Sequence, residues 1–408
     1  MKKALLMLVV GLAACTLMGK DQVVKRDRTY LRKGAGSYFE VLKQVPTKSK
    51  VDVQRQDNQW LEVLYLAQKG FIPVSALEEP VKRNDMFANM PAPKASVTTH
   101  GVSAGVKGFS DKFSGDFKGN PAFADYALAY QLNLNGYDAF VKETYKKNKL
   151  SSFHKAYPLP KRVIQDYYTE AAEGFGLALA GIIANQGLYE NKKLTEYVNY
   201  VGTLVAANSD VPDIQFRFFI LDISQPNGYA CPGGYVFITK GMLQLIENEA
   251  ELAFVLAHEI AHISRFHGII ETKRMEHHIG AEDMFAELDA EVSFSAKNKA
   301  VEAELEADIR EILDILIQGR LDEYEEEADI LGMLFTARSG YDPTVAPKLI
   351  TRLLNTRYES NNQHYRKDSI RLRSGWIGKE SGKYQKTKQG FFQNESRYLQ
   401  HKSLLDRS

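Results

Sequence analysis

The chain has 408 residues, 44% of them apolar and 25% charged, with a formal net charge of +1. That length exceeds one ordinary domain and supports a sizeable core, so two or three folded units are expected. The composition excludes a largely disordered or membrane-embedded chain, and the balanced charge excludes a general affinity for nucleic acid.

The first residues read MKKALLMLVVGLAAC: two lysines, then apolar or small residues from Ala4 to Ala14, then Cys15. The apolar run suits a secretory signal over 1–14 and is too short to span a bilayer. Its end, Leu12-Ala13-Ala14-Cys15, resembles the bacterial lipobox. The resemblance implies a lipidated Cys15 at the start of a tether over 15–21, membrane contact through a lipid anchor, and a place in the bacterial cell envelope, in periplasm or outer membrane. The other cysteine, Cys231, then has no disulfide partner, and packing and metal must supply the stability.

Residues 22–79 read as short strands. Apolar and polar residues alternate in Lys50-Val51-Asp52-Val53 and in Trp60-Leu61-Glu62-Val63, with Gly34, Gly36, Asp57-Asn58 and Gly70 as turn formers between runs. The order LRKGAGSYFEVL, VDV, QWLEV, KGFIPVSAL resembles the bacterial SH3-like domain. That resemblance implies a small all-β barrel that binds cell-wall peptide or an envelope protein, or serves as a spacer. Residues 80–112, rich in Pro, Ala, Ser, Thr and Gly, read as a flexible linker to a domain over 113–408 with a basic C-terminal tail.

That domain is mainly helical by period, as in Tyr167 to Asn185 and Leu194 to Ala207. The period changes at Ile214 to Ile223 and Gly234 to Thr239, which read as strands with Pro232-Gly233-Gly234 turning the chain between them. The fold class is therefore α+β: a small barrel, then a helical domain with a small sheet.

A helix beginning near Glu249 carries His258-Glu259-Ile260-Ala261-His262. Histidines one turn apart project from one face, close enough for a single tetrahedral cation to bridge them. Glu259 lies about a hundred degrees round the helix and reaches the cation's open side, where a general base is useful. Taken alone, the motif points to a metal site, with an amphipathic helix carrying two satisfied histidines as the alternative. A third ligand is required. Arg265 and Gly268 stand where metzincins have glycine and histidine, which excludes that class. A second helix offers Glu325, with Asp329 one turn later and small Ala328 between, so that Asp329 can accept the second N–H of a liganding histidine. Glu304 to Asp308 repeats the same Glu-x-x-Ala-Asp spacing, and spacing does not choose between the two.

Four segments in order, NGYACPGGYVFITKGML, AHEIAH, EEEADILG and SGYDP, resemble the zinc metallopeptidase family that includes the CaaX prenyl proteases and the β-barrel assembly-enhancing protease. The resemblance spans about Tyr167 to Leu354 and implies one zinc ion held by His258, His262 and Glu325, with Glu259 activating water and Asp329 supporting a ligand. Glu325 is favoured over Glu304 because Gly332 follows Asp329 at the family's distance and SGYDP lies just downstream. On the same resemblance Tyr235, Val236 and Phe237 form the edge along which an extended peptide pairs. His364 stands near the place of a family His-Pro pair, with Tyr365 in the proline's place and Arg371 off by one, and is a fourth ligand or plug or else a surface histidine. His267, His277 and His278 lack ligand spacing and read as surface residues. The implied activity is zinc-dependent hydrolysis of unfolded or misassembled envelope proteins. The alternative is a holding factor or adaptor in envelope assembly, which would need neither Glu259 nor Glu325.

Between the two helices, Ala281 to Asp329 holds seventeen acidic and four basic residues, whereas residues 361–408 hold eleven basic and four acidic. The first reads as a solvated amphipathic helix or an acidic lid, and the two segments are charged to attract.

Overall fold

The computed structural model describes residues 21–79, 119–146, 150–160, 170–267, 322–356, 363–384, 396–402 and 405. The leader and Cys15, the linker at 80–112, Glu304 with most of the acidic stretch, His277 and His278 lie outside the described residues, as does the side chain of His364. The chain divides into two compact units.

The first unit is one antiparallel sheet of β1 (Asp21–Val23), β2 (Thr29–Arg32), β3 (Val41–Val45), β4 (Lys50–Asp57), β5 (Trp60–Tyr65) and β6 (Gln68–Pro73), in the order β1-β4-β5-β6-β2-β3. Alternation puts Val51 and Val53 inside with Leu31, Leu61, Val63 and Ile72, and Trp60 is also buried. Asn58 turns β4 into β5 at a φ of 56°, which asparagine tolerates. The β5–β6 hairpin departs from expectation. Its two turn residues are Leu66 and Ala67, both left-handed at φ of 48° and 62°, and Gly70 lies inside β6. Gly70 is needed there for a different reason, because a Cβ would come within 2.7 Å of the Leu31 side chain and 2.8 Å of the Arg32 carbonyl oxygen.

The second unit runs α1 (Pro121–Ala129), α2 (Leu134–Thr144), α3 (Leu150–Ala156), α4 (Glu170–Ala184), α5 (Lys192–Asn208), β7 (Arg217–Leu221), β8 (Gly228–Cys231), β9 (Tyr235–Thr239), α6 (Lys240–Leu245), α7 (Glu249–Ser264), α8 (Asp322–Arg338), α9 (Ala346–Asn355), α10 (Gln363–Ser381) and α11 (Ser396–Lys402). None of the described helices is long and apolar enough to cross a membrane. The core packs α1 and α4 against the sheet through Phe123, Leu177, Ile183, Phe219 and Phe237.

The sheet corrects two sequence readings. Its order is β7-β9-β8, with β9 parallel to β7 and antiparallel to β8. Tyr235, Val236 and Phe237 therefore lie on the central strand, paired on both sides and buried, and do not form an edge. Pro232-Gly233-Gly234 turns β8 into β9, with Gly233 at a φ of 83°. The short β8, Gly-Tyr-Ala-Cys, shows no alternation of its own, so the sequence reading passed over it and took β9 for the border.

Candidate metal centre

Helix α7 starts where Asn248 caps it, its side chain accepting from the Glu251 N–H at 2.9 Å. Glu251 reaches back to the Glu247 N–H at 2.8 Å and pairs with Arg352. Glu249 is fully buried and accepts from Tyr197 Oη at 2.6 Å, Tyr341 Oη at 2.8 Å and Arg397 Nη2 at 2.5 Å. Burial raises its carboxyl above the usual range even against Arg397 and the two tyrosines. Tyr341 is the tyrosine of SGYDP, so that motif serves by pinning the start of α7.

Helix α8 packs directly on α7. Ala328 is buried at the contact, and Gly332 sits so close that a Cβ would lie 3.1 Å from His258 N and 3.2 Å from its Cα. Glu325, Asp329 and Gly332 follow helical spacing, and so the glycine that allows the approach and the carboxylates that use it share one face.

His258 Nε2 lies 3.0 Å from His262 Nε2, and the Glu325 carboxylate oxygens lie 3.4 Å from His258 Nε2 and 3.5 Å from His262 Nε2. All three residues are buried, and among the described residues they are the one group of histidines, cysteines and carboxylates placed to share a metal ion. A tetrahedral ion with bonds near 2.0–2.1 Å sets its ligand atoms about 3.3 Å apart. The three separations match that edge, and two imidazoles with a carboxylate are a donor set suited to zinc. Burial and Arg373 press the His258 imidazole toward neutrality, yet Asp329 and Glu325 overcome them and raise it to about 9. Without a metal the imidazole therefore favours its protonated form, and an ion bound there would displace that proton.

Asp329 Oδ1 stands 2.9 Å from His258 Nδ1, and Asp329 itself is wholly buried. It accepts from Arg373 Nε at 3.0 Å, Arg373 Nη2 at 2.7 Å and Trp376 Nε1 at 2.8 Å. Arg373 Nη1 also reaches Glu325 Oε2 at 3.2 Å. Burial pushes both carboxyls up, and Arg373, followed by the histidines, draws them below the usual range, Glu325 well below it. Arg373 and Trp376 escaped the sequence reading, which weighed Arg371 instead. Both come from α10, where only their spacing of three on one helical face is a signal. Glu259 is 8% exposed, and Gly228 of β8 lies against it closely enough that a Cβ would strike Glu259 Oε1. His364 falls in the first turn of α10.

His267 was read as a surface residue and is instead 1% exposed. Its Nδ1 is 2.9 Å from His262 Nδ1, its Nε2 is 3.2 Å from Glu327 Oε2, and its ring stacks on Tyr324. It lies past the end of α7, where helical spacing no longer says which side chains meet.

Residues 192–386 match the profile of peptidase family M48. The chain is 27% identical over 199 residues to the beta-barrel assembly-enhancing protease of Escherichia coli, covering 48% of this chain and 38% of that one. It is 31% identical over 180 residues to a putative beta-barrel assembly-enhancing protease of Vibrio cholerae, covering 43% and 36%. With the mitochondrial metalloendopeptidase OMA1 of Schizosaccharomyces pombe it shares 27% identity over 197 residues, covering 47% and 51%. The chain spans little more than a third of the length of the bacterial relatives. By its helix pair, its motifs and this match, the part of the chain over residues 192–386 is similar to peptidase family M48.

Proposed function

We propose that the protein is a zinc-dependent endopeptidase of the bacterial cell envelope, anchored by lipid at Cys15, that hydrolyses unfolded or misassembled envelope proteins. The observation that carries this reading is the convergence of His258 Nε2 and His262 Nε2, 3.0 Å apart, on the Glu325 carboxylate, whose Oε2 lies 3.4 Å from the first and Oε1 3.5 Å from the second, a spacing that suits one tetrahedral ion. The relatives named for beta-barrel assembly support the place and the substrate class. The first unit, read as SH3-like, would hold the enzyme to cell-wall peptide or to an envelope protein.

In this reading His258, His262 and Glu325 hold zinc, which when bound polarises a scissile carbonyl and acidifies water. Glu259 takes the proton from the attacking water and passes it to the leaving amine, a task for a carboxylate beside the ion and not bound to it. Gly228 leaves the space in which the Glu259 carboxylate sits. Asp329 holds the His258 ring in orientation, and Arg373 and Trp376 hold Asp329. The neutral amide of Glu259→Gln cannot accept the proton. That variant should retain about one zinc per chain and cleave an unfolded protein at least about 10²-fold more slowly than wild type. Wild-type turnover in the variant would refute the mechanism.

A further inference from the structure

We propose that His267 is a positioning residue that selects the tautomer of His262 through a relay ending on Glu327. The inference rests on the reading of His262 as a metal ligand. It begins from two contacts: His262 Nδ1 to His267 Nδ1 at 2.9 Å, and His267 Nε2 to Glu327 Oε2 at 3.2 Å.

A carboxylate oxygen accepts and does not donate, so Glu327 places a proton on His267 Nε2. A neutral imidazole carries one N–H, which leaves His267 Nδ1 an acceptor. The contact between the two Nδ1 atoms then requires the proton to come from His262. With its proton on Nδ1, His262 has its lone pair on Nε2, the atom that faces His258 Nε2 and Glu325. The relay applies to uncharged rings, the state in which His262 can offer a lone pair to a metal, so that each step is a choice between tautomers. For His258 the facing group is a carboxylate directly, Asp329 Oδ1, 2.9 Å from its Nδ1.

The surrounding structure holds the relay at both ends. Glu327 is fixed through its other oxygen, which accepts from Arg265 Nε at 3.0 Å, and Arg265 Nη1 donates to the buried Asp210 at 2.7 Å. Asp210 also accepts from Ser264 Oγ at 2.6 Å. His267 reaches back to His262 only because Phe266 turns the chain at a φ of 58°. That conformation costs a non-glycine residue roughly 1–2 kcal/mol, and such strain persists where neighbouring contacts over-determine the geometry. The ring of His267 is further held between the His262 ring, at a centroid distance of 5.1 Å, and the Tyr324 ring, at 4.6 Å.

The test uses the full chain, labelled with ¹⁵N-histidine and loaded with zinc, with metal affinity measured by competition against a chromophoric chelator. In the wild type, nitrogen chemical shifts should place the proton of His262 on Nδ1 and that of His267 on Nε2. His267→Leu should weaken zinc binding about 10- to 100-fold, the usual cost of losing a group that orients a ligand. His267→Asn, whose Oδ1 can stand in for the Nδ1 acceptor, should recover most of that loss and restore the wild-type absorption bands of the cobalt-substituted protein. A wild-type His267 protonated on Nδ1 alone would overturn the relay, and that measurement needs no variant to fold. So would a folded His267→Leu protein that binds zinc as tightly as wild type. A wild type that binds no zinc would instead remove the metal centre itself.

Discussion

Arg373 pairs with two buried carboxylates at the described site, and replacing it should be costly. Its guanidinium contacts Asp329 at 2.7 and 3.0 Å and Glu325 at 3.2 Å, with Asp329 fully buried and the arginine side chain 16% exposed. At an effective dielectric near 20, a charge pair about 4 Å apart is worth roughly 4 kcal/mol, and the desolvation of the arginine offsets part of this. Removing one member of such a pair leaves the partner charged and unpaired, at a cost of about 3–5 kcal/mol. Arg373→Met in metal-chelated protein should therefore lose about that much stability. The chain has two tryptophans, so a Trp60→Phe background lets Trp376 alone report urea unfolding of the second unit. Adding Asp329→Asn to Arg373→Met should recover at least about 1.5 kcal/mol, since it neutralises a charge the first change stranded. A loss below about 1 kcal/mol for Arg373→Met, or simple additivity of the two changes, would refute the argument.

Gly332→Ala would place a Cβ 3.1 Å from the buried backbone of His258, forcing α7 and α8 apart by a few tenths of an ångström. Overpacking of this kind costs about 1–3 kcal/mol, and zinc affinity by chelator competition should fall by about tenfold or more, because the two helices supply different ligands. The double change Leu66→Asn, Ala67→Gly should stabilise the first unit by about 1 kcal/mol, since it gives the β5–β6 turn residues suited to its left-handed backbone; denaturant unfolding followed through Trp60 measures it. His154, hydrogen-bonded to Asn208 at 2.6 Å, has its pKa lowered by burial and by Arg338 from 6.5 to about 4. Between those values the unfolded chain binds the proton and the folded chain does not, so stability falls as pH drops through this window. His154→Gln should flatten that part of the stability profile, as read by thermal melts from pH 7 to 4.

The candidate ligands were legible because one turn of helix dictates which side chains converge. His258 with His262, and Glu325 with Asp329, needed only that periodicity and the small residues beside them. What supports them was less visible for the same reason. Arg373 reaches Asp329 from α10, 44 residues away, and no local pattern records such a meeting. His267 follows a left-handed residue, so the helical rule that exposed its neighbours does not extend to it. In the sheet, β8 is too short to alternate, and its absence from the sequence reading made β9 look like a border. The β5–β6 hairpin turns on Leu66 and Ala67, whose identities carry no turn signal, while Gly70 carries one and does not turn.

The three groups that hold Glu249 lie 52, 92 and 148 positions along the chain from it, the last being Arg397. From the same terminal helix, Tyr398 donates to the Leu243 carbonyl, and Lys402 donates to the carbonyls of Gln244 at 2.6 Å and Ile246 at 2.8 Å. The entry to the helix that bears His258 and His262 is thus completed by residues made long after the helix itself. During synthesis the nascent chain carries both histidines and Glu259 for well over a hundred codons before Arg397 exists. Until then the buried start of the helix lacks its counter-charge, and a chain released early would present the motif without its finished seat. The order of translation therefore leaves the start of this helix without its full set of partners until Arg397, Tyr398 and Lys402 have been made.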